Sequence, residues 1–334
     1  MALNRLADQS ERDNDHGAAS SVCNQAALLA SDVGFNELAR EMCHAHAEAY
    51  LTVGPLSAMD AIRGLEPLVN LARLDIRAGE ANSGLSRLDC LFAAVSEGLP
   101  LNYSHIPVPA NLVDTAEDRQ EVRAWLWRVL LADGTRTLTS TGRWSEAEAH
   151  IERHRGVGLR MLDGRQVAVI AALVKGDHER AAQLITDTEP GEPWEGSITH
   201  ALNTAVRIVS GAAHQADATA LVAAYLQSAK EPGRTVFDIR LGLTALDLAC
   251  QLKAPADAVA HELAARVFAA NDGYAARELL AHPACVNLLS EQQTSRCRDL
   301  VDACALGAGR LPEELLSTLQ QALRTAHRVL VRRP

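Results

Sequence analysis

The sequence predicts an all-α fold in which antiparallel helical hairpins stack into an α-solenoid. Apolar residues make up 48% of the chain but aromatic residues only 4%. Much of the apolar content is Ala and Leu, which favour helix, whereas β-branched and aromatic residues favour strand. Segments of helical length, bounded by Gly and Pro, follow one another along the chain, and part of them repeats at a fixed spacing. No segment has a convincing strand pattern, so we expect helices throughout.

The first elements follow from apolar spacing and from helix breakers. Residues 1–16 are polar and predict a lead-in with at most a short helix, and residues 17–331 are predicted to form a single α-helical repeat domain. A first hairpin turns at Gly34, after which Phe35, Leu38 and Met42 start an amphipathic stripe. Within the following helical segment, Pro67 is expected to kink or split the helix near Glu66.

Residues 98–115, "GLPLNYSHIPVPANLVDT", interrupt the helical pattern. They contain three prolines and show no helical period, which predicts an irregular loop. Long connections inside compact helical arrays are uncommon and are often functional, so this loop is a place to search for function. Thr115 is predicted to cap the next helix, with Asp118 three places later.

A repeat provides the sharpest signal. The segment "GRWSEAEAHI" begins at Gly142 and "GDHERAAQLI" begins at Gly176, 34 residues later. Five places after each Gly stands a small residue, and nine places after it an apolar one. The same pattern begins at Gly79 and, more weakly, at Gly211. We expect each Gly to end a helix in the left-handed conformation, and each small residue to permit close approach of the paired helix.

This 34-residue period resembles the tetratricopeptide repeat over about residues 60–270, although the Trp, Tyr and Pro positions of that family are mostly missing. The resemblance implies a right-handed superhelix with a concave surface that binds peptides. The whole chain also resembles stand-alone proteins of actinomycetes, and this second resemblance implies no activity. It is carried by the stretches "NQAALLASD", "VLLADGTRTL", "GVGLRMLDGRQVAV" and "NDGYAARELLAHP".

Charge and cysteine content exclude some classes of protein. The net charge is −10, with 42 acidic against 32 basic residues, which argues against nucleic-acid binding because phosphates require a basic face. Most of the seven scattered cysteines lie on apparent helical faces beside apolar residues, and we interpret them as small buried hydrophobic residues in a reducing compartment. No stretch is long and apolar enough for a membrane span, and the charged N-terminus does not resemble a signal peptide. We therefore expect a cytoplasmic protein.

No motif predicts a metal or a cofactor. His150 and His154 share a helix face, but the segment between them lacks the pattern of a zinc protease. The glycines from Gly156 to Gly164 lack the preceding strand and the Lys-Ser/Thr pair of a phosphate-binding loop, so we interpret them as a connection between helices.

Polar and aromatic side chains within apolar helix faces allow two interpretations. They can form interhelical ion pairs that fix the register of the repeats. Alternatively, they converge on a concave groove, where aromatic residues and Arg are the usual anchors of recognition. For the second interpretation we predict that the groove is lined by Asn70, Arg73, Trp125, Arg136, Asp163 and Arg165.

The leading functional hypothesis is a non-enzymatic scaffold that binds a peptide or protein, and the sequence does not predict its oligomeric state. The alternative is a peptide-tailoring or cyclising enzyme of natural-product maturation that uses the same groove. Its candidate catalytic residues would be His154, Asp163, Tyr274 and His282. A third hypothesis is a detached sensor domain of a transcription regulator, although neither a helix-turn-helix pattern nor a basic patch accompanies it.

Overall fold

The computed structural model describes residues 2–52, 54–231 and 233–332. Nearly all of their regular structure is helical, so the all-α prediction is confirmed. In chain order the elements are α1 (Ala2–Asp13), α2 (His16–Val33), α3 (Asn36–Leu51), α4 (Ala58–Arg77), α5 (Ala81–Glu97), β1 (Leu101–Tyr103), β2 (Ile106–Val108), α6 (Ala116–Ser140), α7 (Trp144–Arg153), α8 (Asp163–Val174), α9 (His178–Thr186), α10 (Pro193–Val209), α11 (Gln215–Gln227), α12 (Thr235–Gln251), α13 (Asp257–Ala270), α14 (Gly273–Leu280), α15 (Pro283–Val286), α16 (Glu291–Ala303) and α17 (Glu313–Val331).

The helices group into two compact units. Unit 1 comprises Met1–Thr141 together with Gly307–Pro334, and unit 2 comprises Gly142–Leu306. Unit 1 is therefore discontinuous in sequence, with unit 2 inserted before its last helix. The sequence pattern predicted a single repeat domain over residues 17–331, without a division into two units.

Unit 1 brings the first and last helices of the described chain together. Helix α17 packs against α1 and α2, and Arg328 on α17 lies 3.0 Å from the carboxylate of Glu11 on α1. Residues 2–13, which the sequence placed in a polar lead-in, thus form a helix that belongs to unit 1 and buries Ala7 and Ser10. The backbone N–H groups of Gly307 and Gly309 donate to carbonyls at the end of α2 and fix the approach to α17.

Pro67 lies inside α4, and the helix continues from Ala58 to Arg77 without a split. A proline in a helix interior removes one backbone hydrogen bond and costs about 3 kcal/mol. Here Pro67 and its neighbours Leu65 and Leu68 are all buried, and the burial of apolar surface offsets that cost. The prediction that Pro67 splits this helix near Glu66 is therefore wrong.

The predicted irregular loop at residues 98–115 contains a short antiparallel hairpin. Strands β1 and β2 pair with Tyr103 opposite Ile106, and the turn residues Ser104 and His105 both have positive φ. Tyr103, Ile106 and Val108 are buried in the core of unit 1, and the Tyr103 hydroxyl donates to the carbonyl of Leu68 at 2.9 Å. Strands of three residues are too short to show a two-residue period, so the sequence pattern did not predict them.

The Tyr103 hydroxyl offers a direct test of this anchoring. Tyr103→Phe removes one buried hydrogen bond and keeps the ring, so we expect a loss of about 1 kcal/mol in the free energy of unfolding. Urea denaturation followed by circular dichroism measures this loss. Asn102→Ala changes an exposed side chain in the same strand and is expected to stay within about 0.5 kcal/mol of the parent. Equal effects of the two variants would contradict the anchoring role.

In unit 2, the predicted repeat positions have the expected backbone. Gly142 and Gly176 have φ of 71° and 78°, and α7 and α9 each begin two residues later. The small residues five places on, Ala147 and Ala181, are fully buried.

The same pattern occurs in unit 1 at Gly79, which also has positive φ. The equivalent small residue there is Gly84, where a Cβ would lie 2.5 Å from the Ile76 side chain. The helix boundaries therefore match the predicted pattern.

Candidate functional site

A cleft with a volume of about 530 Å³ lies in unit 1 between residues of α2, α3, α4 and α6. Ligand-binding sites commonly have volumes of about 300–1,000 Å³. Four of the six predicted groove residues line this cleft: Asn70, Arg73, Trp125 and Arg136. The structure thus brings together residues that are up to 66 positions apart in the chain.

Helix α4 supplies a polar stripe to the cleft. Glu66, Asn70, Arg73 and Arg77 are spaced by four, three and four residues, which places them on one face of a helix. All four line the cleft. Asn70 and Arg73 were predicted from the sequence, whereas Glu66 and Arg77 were not, although the same spacing could have identified both.

A chain of hydrogen bonds connects the stripe to α2. The side-chain amide of Asn24 donates to Oε2 of Glu66 at 2.6 Å, and that of Asn70 donates to Oδ1 of Asn24 at 3.2 Å. Arg73 then donates from Nη1 to Oδ1 of Asn70 at 3.0 Å. The network fixes the orientation of each side chain, because each amide donates to one neighbour and accepts from another.

Two titratable groups in the cleft have raised pKa values. Burial raises the pKa of Glu66, while the hydrogen bond from Asn24 and the charge of Arg73 act against this rise. Burial also raises the pKa of the Cys43 thiol to about 12, so this cysteine stays protonated near neutral pH and is a poor nucleophile.

Three arginines present their charge to the cleft, while their partner carboxylates are buried behind them. Arg73 donates from Nε to Oδ2 of Asp133 at 2.8 Å, and Arg136 Nη1 lies 3.7 Å from Oδ1 of the same residue. The Asp133 side chain is 7% exposed, against 47% for Arg73 and 75% for Arg136. Arg77 pairs with Asp32 at 3.0 Å, again with the arginine much more exposed. The solvent-facing rim of the cleft is therefore cationic.

Apolar side chains line the cleft beside these arginines. Leu28 on α2 is 49% exposed, and its neighbour Leu29 is 42% exposed. Trp125 and Val129 lie one turn apart on α6 and are partly buried against the unit 1 core. Together with Val69, they form a surface that can receive an apolar group. The cleft thus combines an apolar wall with a cationic rim.

The other two predicted groove residues belong to unit 2 and do not line the cleft. Asp163 is exposed at the start of α8, where a negative charge suits the helix dipole. Arg165 is 4% exposed, and its guanidinium donates to the carbonyls of Gly158 and Leu184 and to the Thr188 hydroxyl. These bonds tie the connection before α8 to the end of α9, which is a structural role.

The candidate catalytic residues of the enzyme hypothesis also lie in unit 2. His154 follows α7, with its ring 4.7 Å from that of His150. His282 caps α15 through a bond from the Cys285 N–H to its Nδ1, and its Nε2 lies 3.1 Å from Oδ2 of Asp247. Tyr274 is exposed, with the Arg277 guanidinium 5.4 Å from its ring centroid. None of these three side chains lines the cleft of unit 1, and neither does Asp163, the fourth candidate.

Across residues 2–52, 54–231 and 233–332, no group of three or more His, Cys, Asp or Glu side chains is arranged to hold a metal ion. Within the same ranges, no helix has the length and apolar character needed to cross a bilayer.

No protein-family model, no curated protein and no solved structure matches this chain.

Proposed function

We propose that this protein is a non-enzymatic scaffold that binds a peptide or an extended protein segment in the cleft of unit 1. The observation that carries the proposal is the cleft itself, in which an exposed Leu28 and a partly buried Trp125 line the same cavity as three solvent-facing arginines. Trp and Arg are the residue types that most often anchor protein recognition. The dimensions of the cleft suit a segment of a few residues rather than a folded domain.

The helix contacts of unit 2, which does not line the cleft, favour the same class of protein. In unit 2, α8, α10, α12 and α14 form a series in which each helix contacts the next, as expected where structural repeats contact only their neighbours. With the left-handed glycines of the 34-residue period, this pattern favours a tetratricopeptide-like solenoid, a class of fold that binds peptides on its concave surface. A cytoplasmic location fits the seven free cysteines.

Selection from a random peptide library on the full-length protein tests the proposal. We expect binders whose affinity falls at least about tenfold with Trp125→Ala, because truncation of an interface Trp commonly costs 1–2 kcal/mol or more. Trp127→Ala is the matched control, since Trp127 lies on the same helix but does not line the cleft. Recovery of no binder, or of binders that Trp125→Ala leaves unchanged, would contradict binding in this cleft.

A second candidate function, a peptide-tailoring enzyme, is favoured by one observation. Glu66 lines the cleft, and burial raises the pKa of its carboxyl, as is typical of carboxyl groups that act as general acids or bases. In this hypothesis Glu66 is the catalytic residue, in place of His154, Asp163, Tyr274 and His282, which do not line the cleft. Mass spectrometry of a selected peptide after incubation tests it: turnover that Glu66→Gln abolishes, with binding retained, would favour the enzyme over the scaffold.

A further inference from the structure

We propose that the occupant of the unit 1 cleft is an acidic peptide segment, with a carboxylate bound by Arg73 and Arg136 and an adjacent apolar side chain on Leu28 and Trp125. The inference rests on the proposed peptide-binding function and specifies its ligand. Three features of the cleft support this ligand: the unused hydrogen-bond donors of the arginines, the position of the carboxylates that orient them, and the apolar wall beside them.

The arginines of the cleft retain donors for a ligand. Arg73 uses Nε for Asp133 and Nη1 for Asn70, which leaves Nη2 without a bond to any described residue. Towards the part of the chain that the structure describes, Arg77 donates only from Nη1, to Ser31 and Asp32. The guanidinium of Arg136 has one ion pair with the described residues, the 3.7 Å contact with Asp133. A guanidinium whose donors are partly unused binds a carboxylate in the bidentate mode that gives arginine its geometric selectivity.

The carboxylates of Asp133, Asp32 and Glu66 offset part of the charge of the three arginines, so the preference for an anion depends on where these groups lie. Asp133 holds Arg73 in place from behind and is 7% exposed, so a ligand in the cleft meets the guanidiniums first. The protein as a whole carries a charge of −10, which repels acidic ligands at long range. At physiological ionic strength, charges more than about 8 Å apart are largely screened, so the local arginines dominate once the ligand is in contact.

The apolar wall separates a peptide from a simple inorganic anion. Leu28, Trp125 and Val129 line the same cleft as the arginines, and the exposed fraction of Leu28 is available for burial by a ligand. A ligand that fills both parts carries a carboxylate within one or two residues of an apolar side chain. The carboxylate can come from an Asp or Glu side chain or from the C-terminus of a peptide, and the two sources share the same chemistry.

Two random heptapeptide libraries on the full-length protein test the inference, one with amidated C-termini and one with free C-terminal carboxylates. We expect binders from the amidated library to be enriched in Asp or Glu next to an apolar residue, and to bind about tenfold more tightly than their Asn or Gln counterparts. If the C-terminal carboxylate is the source, only the free library yields binders, and amidation weakens them about tenfold. Both outcomes support an acidic ligand and distinguish its source.

A charge reversal sharpens the test. Arg136 is 75% exposed, so Arg136→Glu should fold, and we expect it to weaken acidic binders at least tenfold and to shift selection towards Lys and Arg. Arg123→Glu is the matched control, because Arg123 is exposed on the same helix outside the cleft. Arg77→Gln provides a second variant that removes a cleft charge without reversing it.

The outcomes separate this inference from the function on which it rests. Binders that depend on Trp125 but are neutral or basic would overturn the acidic ligand and leave peptide binding intact. An absence of binders from both libraries would overturn peptide binding itself. Acidic binders that respond equally to Arg136→Glu and Arg123→Glu would show general charge attraction, which contradicts a site at the cleft.

Discussion

Replacement of Asp75 by Ala is expected to destabilise unit 1 by about 3 kcal/mol. Asp75 is 6% exposed on α4 and lies 2.7 Å from Arg40 on α3 and 2.9 Å from Arg87 on α5. Removal of one partner from a buried ion pair costs about 3–5 kcal/mol, because the remaining charge stays partly desolvated. The lower end applies here, since the two guanidiniums are 27% and 35% exposed and water screens them in part.

Amide hydrogen exchange, measured separately for peptides of unit 1 and unit 2, checks this prediction. Faster exchange is expected in α3, α4 and α5, whereas unit 2 peptides should change little. Asp89→Ala on α5 is the matched control, because Asp89 is exposed and surface substitutions usually stay within about 0.5 kcal/mol. A similar effect of both substitutions would show that Asp75 does not hold the three helices together.

The second large effect is expected at Gly164, where Ala should destabilise unit 2 by about 3 kcal/mol. A Cβ at Gly164 on α8 would lie 2.2 Å from the carbonyl oxygen of Gly156 and 2.8 Å from its carbonyl carbon. Both are backbone atoms, so the connection before α8 must move, and overpacking of this kind costs about 1–3 kcal/mol or more. Gly164 thus permits a close approach of the backbone at Gly156, which is a packing reason for a glycine at this position.

Gly196→Ala provides a control of opposite sign. Gly196 lies within α10, and a Cβ there meets no atom within 4 Å. Because Ala favours helix over Gly by about 1 kcal/mol, this substitution is expected to stabilise unit 2. Urea denaturation of the two variants should therefore shift the unfolding midpoint in opposite directions. A neutral Gly164→Ala variant would contradict the close packing at Gly156.

The helices were predictable because their signals are local. Positive φ at Gly79, Gly142, Gly176 and Gly211 follows from the need of a helix end for a left-handed residue, and this need is visible in the sequence. The two-unit organisation was not predictable in the same way, because it depends on α17 packing against α1 and α2. Contacts between residues about 300 positions apart leave no periodic trace in a single sequence.

The candidate site was predictable in part, for a similar reason. Asn70 and Arg73 are three residues apart, so helical spacing puts both on one face of α4. Trp125 and Arg136 share a face of α6 in the same way. Arg165 shows where this reasoning ends. It is a polar residue in an apolar segment like the others, but its guanidinium is used by backbone carbonyls and a hydroxyl of its own unit. Whether the Arg165 guanidinium is bonded within its own unit depends on the path of the connection at Gly158. The sequence pattern does not reveal that path.

The discontinuous order of unit 1 has a consequence for biosynthesis. The ribosome delivers α1 to α6 first, then all of unit 2, and only then α17. The faces of α1 and α2 that contact α17 therefore stay uncovered while the 165 residues of Gly142–Leu306 are translated. At about 5–20 residues per second this interval lasts on the order of 10–30 seconds. During that time the nascent chain presents an apolar surface that a chaperone can hold, and unit 2 can complete its folding first.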